Sequence, residues 1–586
     1  MVKKLIINQF IKKNIITYIV GFIFVILANI IELIMPKLLG YIIDLFKQQS
    51  VSINKIYGLV FLMLGLGIII FIFKFFYRIF LMGKSRDLEC FLREKLFSHL
   101  QSLPPEFYNN KKTGDLMAYA TNDLSAIRMA FAFGLVFLIE GLFINIASII
   151  VMSKTINFKL TIIAIVPIIT ALLSIIKLRK IIRERFSIVQ GAFANLSDKI
   201  QENISGIRVV KSYVQEKNEI KKLEKSSIYK KEVQLNYIKV SGFLNPIGKI
   251  CFGVSFTLVL IIGSFLVKNG EISLGDFIAF NTYIGIFVRP INQLGRIVEV
   301  WQRALASIKR LDEIFEEKTY VKEKDLNNSN IQKFKGKIEI KNLNFNYPNS
   351  NQKILKNINI KIQPGKTLAI IGKTGSGKTT LLNLLLKLYD VERGHIFIDD
   401  IDINDIPLPT LRENIGYVPQ DNFLFSSSIK ENISFFSDEY DDKDIEEATK
   451  ISSVYNNIID FPKGFDTLVG ERGITLSGGQ KQRISIARAV IKNPSILILD
   501  DSLSAVDTKT EEEIIKNIKS ILKERTGIII AHRISTIKYA DEIILLDKGE
   551  IIERGTHESL LNKKGEYYKL YCSQILEDNE KRGIVI

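Results

Sequence analysis

The chain has 586 residues, a mean hydropathy of +0.17 despite 24% charged residues, and a net charge of +17 at neutral pH. Positive hydropathy beside so many charges excludes a single uniform soluble domain and points to a membrane-embedded part joined to a soluble part. The basic excess is spread beside apolar segments, as positive cytoplasmic loops require, so no nucleic-acid partner is expected. Cys90, Cys251 and Cys572 stand far apart without C-x-x-C spacing and indicate neither a disulfide framework nor a metal site.

The start, Met1 to Lys13, is basic and runs into an apolar stretch too long for a signal-peptide core, with no small-residue cleavage site after it. A retained first membrane helix is expected there. Six apolar segments can be drawn, about 15–45, 56–82, 130–152, 159–177, 247–267 and 276–300, each near or above the roughly 20 residues that span a bilayer. The links 48–55, 153–158 and 268–275 are short, whereas the long link from Lys177 to Lys239 carries fifteen Lys and Arg. Positive charge therefore assigns the long links and both chain termini to the cytoplasm. Segments 83–127 and 178–240 keep helical periodicity, as in Leu88, Leu92, Leu96 and Leu100, with few breakers. They are predicted to be membrane helices extended into the cytoplasm. Their tips are expected near Phe107–Asp115 or Tyr119–Asp123, and near Ile207–Tyr213. Away from segment ends the ionisable residues are chiefly Glu32, Lys37, Lys74, Arg78, Glu140 and Arg289. Glu32 and Glu140 read either as attractors of cationic cargo or as packing groups partnered by the nearby basic residues.

From 316 to 336 the chain turns polar and rich in Asn and Lys, a domain boundary. Strand-like alternation begins at Ile338-Glu339-Ile340, and 337–586 alternates strands and helices. The predicted fold is thus an α-helical polytopic membrane domain (1–315) of six transmembrane helices with long cytoplasmic extensions, a linker, and an α/β phosphate-loop ATPase domain. That loop is Gly372-Lys373-Thr374-Gly375-Ser376-Gly377-Lys378-Thr379, followed by Thr380. A β-type run, Leu368–Ile371, enters it and a helical run, Leu381–Leu385, leaves it. Its glycines let backbone N–H groups converge on phosphate, Lys378 supplies a point charge, and Thr379 supplies a hydroxyl for Mg²⁺. Tyr347, shortly before the loop, is a candidate to stack on adenine or an ordinary packed strand residue. Ile496-Leu497-Ile498-Leu499-Asp500 is an apolar strand ending in a carboxylate that suits Mg²⁺. Between them Leu476-Ser477-Gly478-Gly479-Gln480 opens a helix and offers a second anion-binding N-terminus, suited to a nucleotide held by another subunit.

This order of phosphate loop, Ser-Gly-Gly-Gln signature and carboxylate-ended strand resembles the ATP-binding-cassette (ABC) proteins. Six membrane segments before one cassette resemble a half-transporter of the exporter type. The resemblance implies that Tyr347 is the aromatic A-loop residue, that Gln420 is the Q-loop glutamine, and that Val469–Gly473 is the X-loop. It further implies that Ser504-Ala505-Val506-Asp507 is the D-loop and His532 the switch histidine. Gly114-Asp115-Leu116 and Gly206-Ile207-Arg208 are similar to the family's coupling regions. ATP and Mg²⁺ are the implied cofactors, with Thr379, Gln420 and Asp500 around the metal and Leu476–Gln480 acting on a partner's ATP. One position departs: the family expects Glu after Asp500, and this chain has Asp501. One methylene fewer withdraws the carboxylate by about an ångström, which costs on the order of a hundredfold in rate. Asp501, His532 and Gln420 are the catalytic candidates. The departure resembles the degenerate-site subunit of bacterial heterodimeric multidrug exporters, ahead of a homodimeric drug or lipid exporter using Asp501 as base. The implied setting is the cytoplasmic membrane, with a second half-transporter as partner and a hydrophobic or amphipathic solute as cargo. A channel or regulatory subunit using the same cassette is the rival, and no charged-ring motif supports it.

Overall fold

The computed structural model describes residues 6–46, 53–317, 333–348, 350, 352–470, 473, 476–503 and 508–581. They fall into two compact units, residues 1–102 with 111–318, and residues 103–110 with 319–586. Most of the expected linker 316–336 lies outside the described residues.

The first unit is helical because a bilayer offers no water to backbone N–H and C=O groups, which must pair within their own segment. Five helices are long and apolar enough to cross a membrane: α1 (Ile15–Phe46), α2 (Ile53–Ser102), α3 (Thr113–Thr155), α4 (Phe158–Ser205) and α5 (Glu216–Lys268). A sixth, α6 (Leu274–Glu316), has 43 residues. Asp276 and Arg289 make it less apolar, and it is not among the five. Helices α2, α4 and α5 are 50, 48 and 53 residues long, well beyond the apolar segments at 56–82, 159–177 and 247–267. That extension is the one the periodicity of 83–127 and 178–240 predicts. Between α2 and α3 the chain reverses around the short helix Pro105–Asn110. Tyr119–Asp123, the other candidate tip, is instead a π turn on the way back, with Asp123 buried. Its carboxylate accepts from Arg310 Nη2 at 2.5 Å and Ser307 Oγ at 2.8 Å, which ties α3 to α6 without an unpaired buried charge.

Close packing comes from small residues. An added Cβ on Gly275 would lie 1.9 Å from the Gly40 carbonyl oxygen, so α1 and α6 meet backbone to backbone there. Asp44 secures the same crossing by accepting from Gly275 N at 2.7 Å and Ser273 Oγ at 2.5 Å. Ser273 in turn caps α6 by accepting from Asp276 N. Ala279, Phe280, Tyr283 and Ile284 of α6 are buried in the core of this unit.

The second unit holds two sheets. Strands β1 (Ile338–Phe345), β2 (Leu355–Ile362), β4 (Ile396–Ile398) and β5 (Ile401–Asp402) form an antiparallel sheet in the order β2-β1-β4-β5. Strands β3 (Thr367–Ile371), β6 (Ile415–Val418), β7 (Ile496–Asp500), β8 (Thr526–Ile530), β9 (Glu542–Asp547) and β10 (Glu550–Gly555) form the order β10-β9-β3-β8-β7-β6. Only β10 runs antiparallel in that second sheet. Its central strands are apolar on both faces, as β7 with all five residues buried illustrates. Ile370 of β3 and Asp500 of β7 both pair with Ile530 of β8, so the ends of three strands are level.

Gly275→Val should force α1 and α6 apart, at a cost of about 1–3 kcal/mol or more. The check is thermal unfolding of the detergent-purified full-length chain. An unchanged unfolding temperature would contradict the backbone contact.

Candidate functional site

The carboxyl ends of β3, β8 and β7 make the rim at which ligands of open α/β sheets bind. The chain leaves β3 through Gly372–Gly377 and enters helix α7 (Lys378–Leu385). Gly377 stands at φ +103° and Gly375 at φ +80°, conformations an L side chain resists. Gly372 is fixed by space, since a Cβ would lie 2.1 Å from the Leu546 carbonyl oxygen. No side chain caps α7, so its first N–H groups are left for a ligand. Lys378 is buried and its Nζ donates to the carbonyls of Gly372 at 2.8 Å and Lys373 at 2.9 Å. Burial lowers its pKa, opposed by the carboxylates Asp500 and Asp501.

Asp500 is 2% exposed and accepts from Thr379 Oγ1 at 3.2 Å. Burial pushes its pKa up, with neighbouring Asp501 adding to the rise and the Thr379 bond opposing it. Asp501 follows at φ +46°, a left-handed conformation that Asp tolerates better than most residues, and its N–H donates to Ile530 O at 2.9 Å. His532, exposed just past β8, is close enough to Asp500 to favour its charge. Gln420 is exposed just past β6, the edge strand that pairs with β7. Sequence-distant Lys378, Thr379, Asp500, Asp501 and His532 are therefore brought together.

Tyr347 lies against Tyr389 and Phe345 with ring centroids 5.1 and 5.3 Å away, both edge-on. Its hydroxyl bonds Thr380 Oγ1 at 3.0 Å, which ties the first sheet to α7. The ring is thus packed just past the end of β1 and also borders the helix that follows the phosphate loop.

The signature opens helix α8 (Gly478–Val490). Ser477 Oγ accepts from Gln480 N at 3.2 Å, and Gln480 Oε1 accepts from Ser477 N at 2.9 Å, a reciprocal capping box. Ser477 and Gly478 are exposed. Among the described residues no hydrogen bond joins Leu476–Gln480 to Gly372–Thr380. Ser504, Ala505, Val506 and Asp507, and Glu471 and Arg472 of the 469–473 stretch, lie outside the described residues.

Sequence reasoning missed the groups that hold the His532 segment. Gln574 donates to His532 O at 2.7 Å and accepts from Ile534 N at 2.8 Å. Glu511, whose side chain is 4% exposed, accepts from Arg533 at 3.0 Å and Thr536 Oγ1 at 2.5 Å. The Glu511 carboxylate at i with its partners some twenty residues on leaves no local sequence signal.

Fold and site together define a phosphate-loop ATPase cassette on the same chain as a polytopic helical membrane unit. Residues 18–291 match the family described as ABC transporter transmembrane region, and residues 355–504 match that described as ABC transporter. The chain belongs to the ABC transporters: it is a multi-pass membrane protein that couples ATP hydrolysis to transport. It is 38% identical over 585 residues, 100% of this chain and 99% of the other, to the "Probable multidrug resistance ABC transporter ATP-binding/permease protein YheI" of Bacillus subtilis. It is 34% identical over 487 residues, 83% of this chain and 80% of the other, to an ATP-dependent lipid A-core flippase of Syntrophus aciditrophicus. The solved structure of a bacterial Atm1-family ABC exporter with ATP bound matches with a TM-score of 0.77 and 25% identity, over 97% of this chain and 99% of that one.

Glu511→Ala should cost about 1–3 kcal/mol by leaving Thr536 and Arg533 without their acceptor. Glu511→Gln, which keeps an acceptor oxygen, should cost less. Thermal unfolding of the full-length chain checks both, and equal stability of all three proteins would contradict the assigned bonds.

Proposed function

We propose that this chain is one half of an exporter of hydrophobic or amphipathic small molecules, working beside a second half-transporter in the cytoplasmic membrane. The observation that carries this reading is an intact, outward-facing signature on a chain whose own rim has Asp501 where the family has Glu. The likeness to a multidrug-resistance relative over the whole chain supports the cargo class.

In this reading ATP lies along Gly372–Thr380 with its adenine beside Tyr347. The uncapped start of α7 and Lys378 receive the phosphates, Lys378 turning from the loop carbonyls it now bonds. The oxygen donors Thr379 and Asp500, 3.2 Å apart, fit Mg²⁺, with Gln420 as a further oxygen. When bound, Mg²⁺ neutralises charge on the β- and γ-phosphates. Ser477–Gln480 closes over the ATP of the partner, because a helix start capped by its own serine still directs free N–H groups outward. The resemblance makes Ser504–Asp507 the D-loop. ATP drives closure because it binds the closed cassette pair more tightly than the open one. The long α2–α3 and α4–α5 extensions carry the movement to the membrane helices.

His532 orients the γ-phosphate, and Asp501 is the base at this chain's own site. Its shorter side chain makes that site slow, so turnover falls mainly to the site completed by this chain's signature on the partner's nucleotide. The retained His532 favours a second reading, a homodimer in which Asp501 works through a small shift.

Inverted membrane vesicles should accumulate a fluorescent amphipathic dye on ATP addition when the chain is expressed with its partner half-transporter. Lys378→Ala in this chain should abolish that uptake. Full uptake from vesicles holding this chain alone would overturn the heterodimer in favour of the homodimer. ATP-gated conductance steps in a planar bilayer would sink the exporter reading altogether.

A further inference from the structure

Outside the nucleotide site, five ionisable groups of the membrane helices meet at one place. Glu32 comes from α1, Lys74 and Arg78 from α2, Glu140 from α3 and Arg289 from α6. Lys74 Nζ donates to Glu32 Oε2 at 2.8 Å, and Arg289 Nη1 is 3.6 Å from Glu32 Oε1. Glu140 lies within electrostatic reach of Lys74, Glu32, Arg289 and Arg78. The helices α3 and α6 touch one residue from Glu140 and from Arg289: a Cβ on Gly141 would lie 3.4 Å from Pro290 Cβ, ordinary contact distance.

The charges do not balance. Three cations face two carboxylates, and Glu32 is already taken by Lys74 and Arg289. A purely structural cluster at this depth would be neutral, since an unmatched charge inside a bilayer costs several kcal/mol. The donors in excess are the two guanidinium groups, set against one carboxylate, Glu140, that has no direct ion pair among the described residues. Arg289 is 68% exposed in its side chain, Arg78 is exposed, and neither Arg78 nor Glu140 makes a direct ion pair among the described residues. Asn29, one helical turn from Glu32 on the same face of α1, is 1% exposed, and its Nδ2 donor has no partner among the described residues. Guanidinium groups fit planar and tetrahedral oxyanions through paired N–H donors. Of the two readings of Glu32, its pairing with Lys74 and Arg289 matches the packing alternative.

We propose that this cluster is a cargo-headgroup site for amphiphiles carrying one negative charge, a carboxylate, sulfonate or phosphodiester, with Arg289 and Arg78 as the receiving cations. The proposal rests on the exporter reading and narrows its cargo class. Binding is read at equilibrium without ATP, so loss of uptake with binding intact refutes the exporter reading, whereas loss of charge preference refutes the site.

The full-length chain in phosphatidylcholine nanodiscs is titrated with 11-(dansylamino)undecanoic acid, its methyl ester and the matching alkylammonium probe. The acid should bind about tenfold tighter than the ester. Arg289→Gln and Arg78→Gln should each erase much of that preference while leaving ester binding unchanged, which also shows that the variants fold. Arg289→Lys should keep most of it. Acid and ester binding alike, or tighter binding of the ammonium probe, would overturn the proposal. Competition from phosphatidylglycerol added to the nanodisc supports the site with a membrane lipid as its source. Retained acid preference without that competition supports it with a free amphiphile as the source.

Discussion

The nucleotide site depends on one short contact, Thr379 Oγ1 to Asp500 Oδ2 at 3.2 Å, made by residues 121 positions apart. It exists because β3 and β7 flank β8 in matched register, with Ile370 and Asp500 both level with Ile530. A one-residue slip of β7 would turn Asp500 to the other face of the sheet. The loop must also pass close beneath the sheet edge, which only a glycine at 372 allows against the Leu546 carbonyl. The cost is a buried carboxylate and a buried amine, which meet through local bonds: Asp500 to Thr379, and Lys378 to two loop carbonyls. Phosphate and metal chemistry suits such a site, because both groups stay constrained until a ligand replaces their partners.

The cassette was legible where function demands a local pattern. Gly372–Thr379, Leu476–Gln480 and Ile496–Asp500 can be read from spacing because each is a turn or strand end whose backbone needs those residue types. The residues that hold His532 were not legible, since Glu511 and Gln574 are ordinary helix residues that acquire meaning only through contacts 22 to 42 positions away. Tyr347 shows the opposite limit: its sequence context is right for an A-loop, yet its ring also packs against Tyr389 and Phe345. The Ser477 capping box reads two ways for the same reason, as a helix start and as an anion site.

In the membrane unit, hydropathy marked the helices but not their lengths, because amphipathic extensions such as Leu88–Leu96 carry charges on their outer face. The sixth helix can carry polar residues because α1 matches them, Asp276 by Lys37 at 2.6 Å and Arg289 by Glu32. Hydropathy sees the residues and not the pairing. The same pairing decides how Glu32 is read, and spacing alone left it open.

We propose that Asp501 leaves this chain's own ATP site intact for binding and slow for hydrolysis. Steady-state ATP turnover by the purified chain in a lipid bilayer, beside Asp501→Glu and Lys378→Ala, tests it most directly. The wild-type chain should bind ATP but turn over near the Lys378→Ala blank, and Asp501→Glu should raise turnover on the order of a hundredfold. Rapid hydrolysis by the wild-type chain, with no gain from Asp501→Glu, would contradict it.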